Sequence, residues 1–254
     1  MMHVGSDIST GKDMSAGNDI IALAETDNDR TSRYRFYSRI LTPEELPLCD
    51  GLTGGELSFS SFVWLMWSIK ESVYKYVSRA DPGLRFAPLK IPVRGLRICE
   101  DHYEGIIRYG GLTMFSRSFL WDKVIMTVVS ACEDFSNVRW GMEVIGNPDY
   151  TTQSALVRKF ALHSLSTDLP GAALRIIKTL DGPPELWDDE RSLDIPLSLA
   201  HHGPYVAWSY RLPAISSSYR KSAANRAASS HLRRVNLLEI TGLNRSCSSC
   251  EYSS

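Results

Sequence analysis

The chain lacks any apolar run long enough to cross a bilayer: its longest, Phe62 to Trp67, falls far short of the roughly 20 residues that a spanning helix needs. The polar N-terminus has no apolar signal core, so no membrane partner is expected and the cytoplasm is the default location. Charge of one sign is also lacking. The chain has 28 Lys and Arg against 29 Asp and Glu, a formal net charge of -1. That gives no global attraction to nucleic acid, and any phosphate binding has to come from a local cluster. Cysteine does not build a framework. The five cysteines are an odd number, and Cys49, Cys99 and Cys132 stand alone, which suits reduced thiols. Cys247-Ser248-Ser249-Cys250 has no second pair and no nearby histidine, so it is weak as a metal or redox motif. The phosphate-loop pattern GxxxxGK[ST] is missing, as is any internal repeat.

What remains is an ordinary globular composition, 43% hydrophobic and 22% charged over 254 residues, enough for one large domain or two small ones. Residues 1–16, with Gly5, Ser9, Gly11 and Ser15, read as a flexible lead-in. Gly17-Asn18-Asp19 then opens the β-branched segment Ile20 to Leu23. An Asp at the mouth of a buried strand is either an Asx-type turn former or a ligand, and the residues alone favour the turn. Arg30, Arg33, Arg35 and Arg39 alternate with aromatics, a site for an anion or an acidic protein, or a solvated basic face. Thr42-Pro43-Glu44-Glu45 reads as a structural capping box.

Ser58, Ser60 and Ser61 offer caps for a helix over 61–79, in which Phe62, Met66, Ile69, Val73 and Val77 form one buried stripe. Glu71 and Lys75 stack one turn apart on another face, with Trp67 a turn earlier. Taken alone, such a pair is a solvated surface contact of ~0.3–0.5 kcal/mol. Asp81-Pro82-Gly83 ends the helix. From 84 to 146 the runs Leu89 to Val93, Gly105 to Tyr109, Trp121 to Val129 and Trp140 to Ile145 predict an antiparallel sheet. Residues 151–166 return to helical texture along Leu156, Phe160 and His163. Leu174 to Lys178 is a further segment, and Ile195 to Tyr210 reads as strand, Gly203-Pro204 turn and strand, with exposed histidines His201 and His202 at the turn. Residues 214–254 are Ser- and Arg-rich and read as a weakly ordered tail, with a short helix over Leu232 to Leu243.

The order G-N-D-I-I, W-S-x-K-E-S-x-Y-K and S-L-x-H-H-G resembles the 4′-phosphopantetheinyl transferase superfamily over roughly residues 17–210. Trp67 to Lys75 fits that family's W-x-x-K-E-[AS]-x-x-K signature at every fixed position. The resemblance implies an α+β fold with helices packed on antiparallel sheet, in one domain over 17–213 with two possible sub-halves, 17–83 and 84–213. It implies an enzyme of the holo-acyl-carrier-protein synthase type, one that moves the phosphopantetheine arm of coenzyme A to a serine of an apo acyl or peptidyl carrier protein and releases adenosine 3′,5′-bisphosphate. A place in fatty acid metabolism goes with that activity. Asp19 and Glu71 would hold Mg²⁺. Lys75 would meet the phosphates, Lys70 would be a second phosphate contact or proton acceptor, and His201, Ser198 and Arg39 would bind coenzyme A. The alternative is a non-catalytic module binding carrier protein or coenzyme A.

Three departures bear on this reading. Ile21 stands where larger members have another acidic ligand, Ala22 stands where many relatives have a second Asp, and Asp7 in Gly5-Ser6-Asp7-Ile8 is a rival to Asp19. The motif order is that of the compact members, whose site lies between protomers of a homotrimer, but the chain is longer. Either it oligomerises, or the added β-rich segment completes the site within one monomer.

Overall fold

A helix that must bury a full stripe and still present charges needs a sheet on one side only, and this requirement sets the architecture. The computed structural model describes residues 15–52, 57–146, 149–179 and 182–213. In chain order its strands and α-helices are β1 (Gly17–Ala22), α1 (Asn28–Thr31), α2 (Tyr34–Tyr37), α3 (Pro47–Asp50), α4 (Phe59–Ser78), β2 (Val93–Ile98), β3 (Tyr103–Tyr109), β4 (Leu112–Trp121), β5 (Val124–Ser130), β6 (Val138–Val144), α5 (Tyr150–Asp168), β7 (Leu174–Ile177), β8 (Glu185–Asp188), β9 (Arg191–Leu193), β10 (Leu197–His202) and β11 (Tyr205–Arg211). Three antiparallel sheets result, ordered β1-β5-β4-β3-β2, β10-β11-β6 and β7-β8-β9. The fold is the expected α+β type, with helices on antiparallel sheet. The sub-halves 17–83 and 84–213 share a sheet, because β1 pairs with β5 from Gly17 opposite Val129 to Ala22 opposite Val124.

α4 begins at Ser58, whose side chain accepts from the Ser61 N–H, and all five stripe residues from Phe62 to Val77 are buried. Removing such side chains from water contributes about 1.5–3 kcal/mol each as an upper bound. α4 lies almost in contact with β1. A Cβ on Gly17 would land on the Ser72 carbonyl oxygen and against Tyr76, so only glycine permits this approach. Trp67 is half-buried, edge-on to Phe86 at 5.1 Å.

Several expectations are corrected. Ser15 and Ala16 are buried, and the Ser15 hydroxyl donates to the Tyr76 carbonyl, so the ordered chain begins before 17. Asp19 lies inside β1, opposite Thr127, and forms no turn. Leu89 sits in a 3-10 turn rather than a strand. Trp121 to Val129 is two strands, since Asp122 takes a positive φ of 40° in the hairpin between β4 and β5. The buried stripe of α5 is Val157, Ala161 and Leu165, and His163 is exposed. His201 and His202 are half-buried members of β10. Asp7, the tail from 214 and the Cys247–Cys250 pair lie outside the described residues.

One half of the expected capping box forms, the Thr42 N–H donating to Glu45 Oε2 at 2.9 Å, while the Glu45 N–H donates to the Thr42 carbonyl instead of its side chain and the cap position of the next helix is Leu46. The helix that follows is only the four-residue α3. Glu45 also accepts from the Val93 N–H and from Lys70 Nζ, and it is 1% exposed.

Candidate functional site

Alternation along β1 sorts its side chains. Asn18, Ile20 and Ala22 fall on one face, and Asp19 and Ile21 on the other, where Ile21 packs in the core with α4. Asp19 therefore meets α4, and its Oδ1 accepts from Lys75 Nζ at 3.1 Å. Its second oxygen, Oδ2, is buried without a hydrogen-bond partner among the described residues. Glu71, one turn before Lys75 on the same face, is half-buried. Burial raises its carboxyl pKa above the usual carboxylate value, Lys75 opposes that shift and the Asp19 charge adds to it. No hydrogen bond or ion pair among the described residues engages the Glu71 carboxylate within 4 Å.

β10 closes the site from the other side, because β1 is the last strand of its sheet and leaves backbone donors to be satisfied. The Ser198 hydroxyl accepts from the Asn18 N–H at 3.1 Å, and His202 Nδ1 accepts from the Ala22 N–H at 2.8 Å. Arg79, near the end of α4, donates to the Leu197 carbonyl at 2.6 Å. Lys75, Ser78, Arg79 and Ser198 line one cavity of ≈ 290 Å³. The Arg79 Nε is buried and unpartnered. Burial disfavours the Arg79 charge, which Glu185 and Asp194 support.

The structure thus brings together Asp19, Glu71, Lys75 and Ser198. His201 lies on the opposite face of β10 from Ser198, edge-on to Tyr150 at 4.9 Å. Burial lowers its pKa, and the positive charge of Lys75 lowers it further. Lys70 is not at the site. Its ammonium is 0% exposed, donating to Glu45 and to the Ile40 carbonyl, each at 2.6 Å. Adjacent in sequence to Glu71, it points about 100° around the helix, into the core. Arg39 is exposed, and no contact among the described residues joins it to Asp19, Glu71 or Lys75. Sequence reasoning passed over Arg79, and it read His202 only as an exposed histidine at the turn beside His201. The signal for Arg79 was its spacing, four residues beyond Lys75. The contact of His202 with β1 was not visible in the sequence, because a strand's facing is set by its register.

The donor chemistry fits a hard divalent cation. Two carboxylates offer free oxygens, one of them buried and unpartnered, and such ions are held by one or two carboxylates with waters completing the shell. Ile21 contributes no ligand and is 5% exposed in the core.

Residues 15–128 form a stretch that matches the sequence model of the 4′-phosphopantetheinyl transferase superfamily. It contains Asp19, Glu71, Lys75 and Arg79, and it ends in β5, before Ser198. No curated protein matches the chain.

Proposed function

Starting from the match of residues 15–128 to the 4′-phosphopantetheinyl transferase superfamily, we propose that the chain transfers 4′-phosphopantetheine from coenzyme A to a serine of an apo carrier protein. The observation that carries this is the Asp19–Lys75 contact beside Glu71, with one Asp19 oxygen buried and unpaired. The carrier's serine oxygen bonds to the β-phosphorus as the bond from that phosphorus to the bridging pyrophosphate oxygen breaks, and adenosine 3′,5′-bisphosphate leaves with that oxygen. A Mg²⁺ ion held by Asp19 and Glu71 would neutralise charge that grows on the phosphoryl oxygens. Lys75 adds a point charge to those oxygens. The Glu71 carboxylate oxygen left free by that ion would accept the serine proton, directly or through a water. Arg79 receives a phosphate in the cavity it lines with Lys75 and Ser198, as a planar guanidinium suits. Ser198 and His202 act as positioning residues, fixing the edge of β1 that carries Asp19. The exposed Arg33, Arg35 and Arg39 offer an acidic carrier a basic face, which would raise its association rate at low salt.

The test incubates the full chain with coenzyme A, Mg²⁺ and apo acyl or peptidyl carriers and reads intact mass. A phosphopantetheine adduct that needs both the cation and the chain is expected. Ile21, in place of an acid, favours a second reading, a module that binds coenzyme A or carrier without chemistry. Saturable coenzyme A binding with no adduct on any carrier would select it.

A further inference from the structure

The hairpin between β2 and β3 holds a second donor set, chemically unlike the first. Its loop runs from Cys99 to His102 and is closed by the Cys99 N–H donating to the His102 carbonyl at 2.8 Å. Cys99 Sγ, a His102 ring nitrogen and a Glu104 oxygen lie within 4.8 Å of one another, all half-buried. The set lies on the other face of its sheet from α4. Tyr103 and Ile107 of β3 join the α4 core, so Glu104 projects the opposite way, as does Arg117, its neighbour in register on β4. Asp19 belongs to the α4 face, and the two sets are separate.

Hydrogen bonding shows what the cluster lacks. His102 Nδ1 lies 2.7 Å from Asp101 Oδ1, and a carboxylate can only accept, so Nδ1 carries a proton. In the neutral ring Nε2 then has a lone pair, and it faces Glu104 Oε1, another acceptor, at 3.2 Å. Two lone pairs at that distance need a cation between them, either a second ring proton or a metal ion. The thiol of Cys99 converging on the same point favours the metal. Asp101 behind the ring is the outer carboxylate that commonly orients a ligating histidine. Arg97 grips Glu104 Oε2 through Nε at 3.0 Å and through Nη2, leaving Oε1 to face His102 with a long 3.3 Å contact from Arg117 beside it.

We infer that Cys99, His102 and Glu104 bind Zn²⁺, with water in the fourth position, as a clip on the β2–β3 hairpin. Sulfur and imidazole select a borderline-soft ion over Mg²⁺. Zinc bonds of about 2.0–2.3 Å place tetrahedral ligand atoms roughly 3.3–3.8 Å apart, within a small side-chain adjustment of the spacing seen. Binding a thiol releases its proton to solvent as the S–Zn bond forms, so the zinc-bound cluster is neutral: +2 from the metal, -1 each from thiolate and carboxylate.

The test equilibrates the full chain with Zn²⁺ in excess Mg²⁺, removes unbound metal by gel filtration and counts zinc by atomic emission. Cys247→Ser/Cys250→Ser serves as the background, so that the tail pair cannot supply the metal. One zinc per chain is expected in this background, with affinity falling at least tenfold on Cys99→Ser and 10–100-fold on His102→Gln. Co²⁺ in place of zinc should give a thiolate charge-transfer absorption that Cys99→Ser removes while Cys132→Ser keeps it. If Cys99→Ser fails to fold, the same loss is read on His102→Gln. A chain that retains no zinc, zinc unaffected by both substitutions, or zinc that disappears with the tail cysteines would each overturn the site and leave the second ring proton as the bridging cation.

Discussion

At Glu71 two demands on one carboxyl oppose each other. Burial beside Asp19 makes its charge costly, and Lys75 offsets only part of that cost. Its folded pKa is raised above the unfolded value, so the folded state holds this proton more tightly and stability falls as pH rises from the ordinary carboxylate range through the folded pKa. Glu71→Gln removes the charge while keeping the shape. In metal-free protein at pH 7 the variant should resist urea better than the parent, and the gap should close as pH is lowered through the carboxylate range. Phosphopantetheine transfer in the same variant should fall by about 10²–10³-fold or more, as when one group contacting the developing charge is lost. A variant that is both destabilised at pH 7 and fully active would remove Glu71 from the site.

α4 serves as scaffold on one face and carries the candidate site on another, and Lys70 belongs to the scaffold. It ties the Ile40 carbonyl and Glu45 to the helix, and Glu45 in turn holds the Val93 N–H at the start of β2. Lys70→Met leaves the Glu45 carboxylate buried without its cation. The expected loss is about 3–5 kcal/mol in chemical denaturation, with Lys70→Met/Glu45→Gln losing less, since it buries no unpaired charge. Equal losses in both would mean that the helix packing, not the pair, sets the cost. The helix was legible because its stripe and the Trp67–Lys75 signature fall within one continuous segment. Lys70 was misread because the signature gives spacing along the chain, while function depends on direction around the axis, which only packing fixes. The Thr42–Glu45 box was legible as a local contact, but the distant partners of Glu45 were not. β4 was missed for a local reason: its hairpin turns at Asp122-Lys123 without the glycine that usually marks such a turn, Asp122 bearing the positive φ instead. The short β8 and β9 carry too few residues to show a period.

Across the whole chain the site is assembled from segments far apart in sequence: Asp19 on β1, Glu71, Lys75 and Arg79 on α4, and Ser198 and His202 on β10. The motif order had left two options, a site shared between protomers or one completed by the added β-rich segment. The Asn18–Ser198 and Ala22–His202 bonds are made within one chain, so β10 of the same copy occupies the edge of β1. A neighbouring protomer's strand would have to displace those bonds to pair with β1 at that edge. The two arrangements differ in one measurable property. If the site is completed within a chain, mixing an Asp19→Ala chain with a His202→Ala chain should restore no transfer, because each copy keeps its own defect. If it forms between protomers, unfolding and refolding the mixture should regenerate a fraction of intact sites, up to about a quarter for random pairing of two equally mixed chains. Light scattering of the same samples separates a monomer from a trimer whose sites are each internal. Restored transfer would place the β10 contribution to each site on a neighbouring copy, while a trimer without restoration would assign its interface to some other face of the molecule.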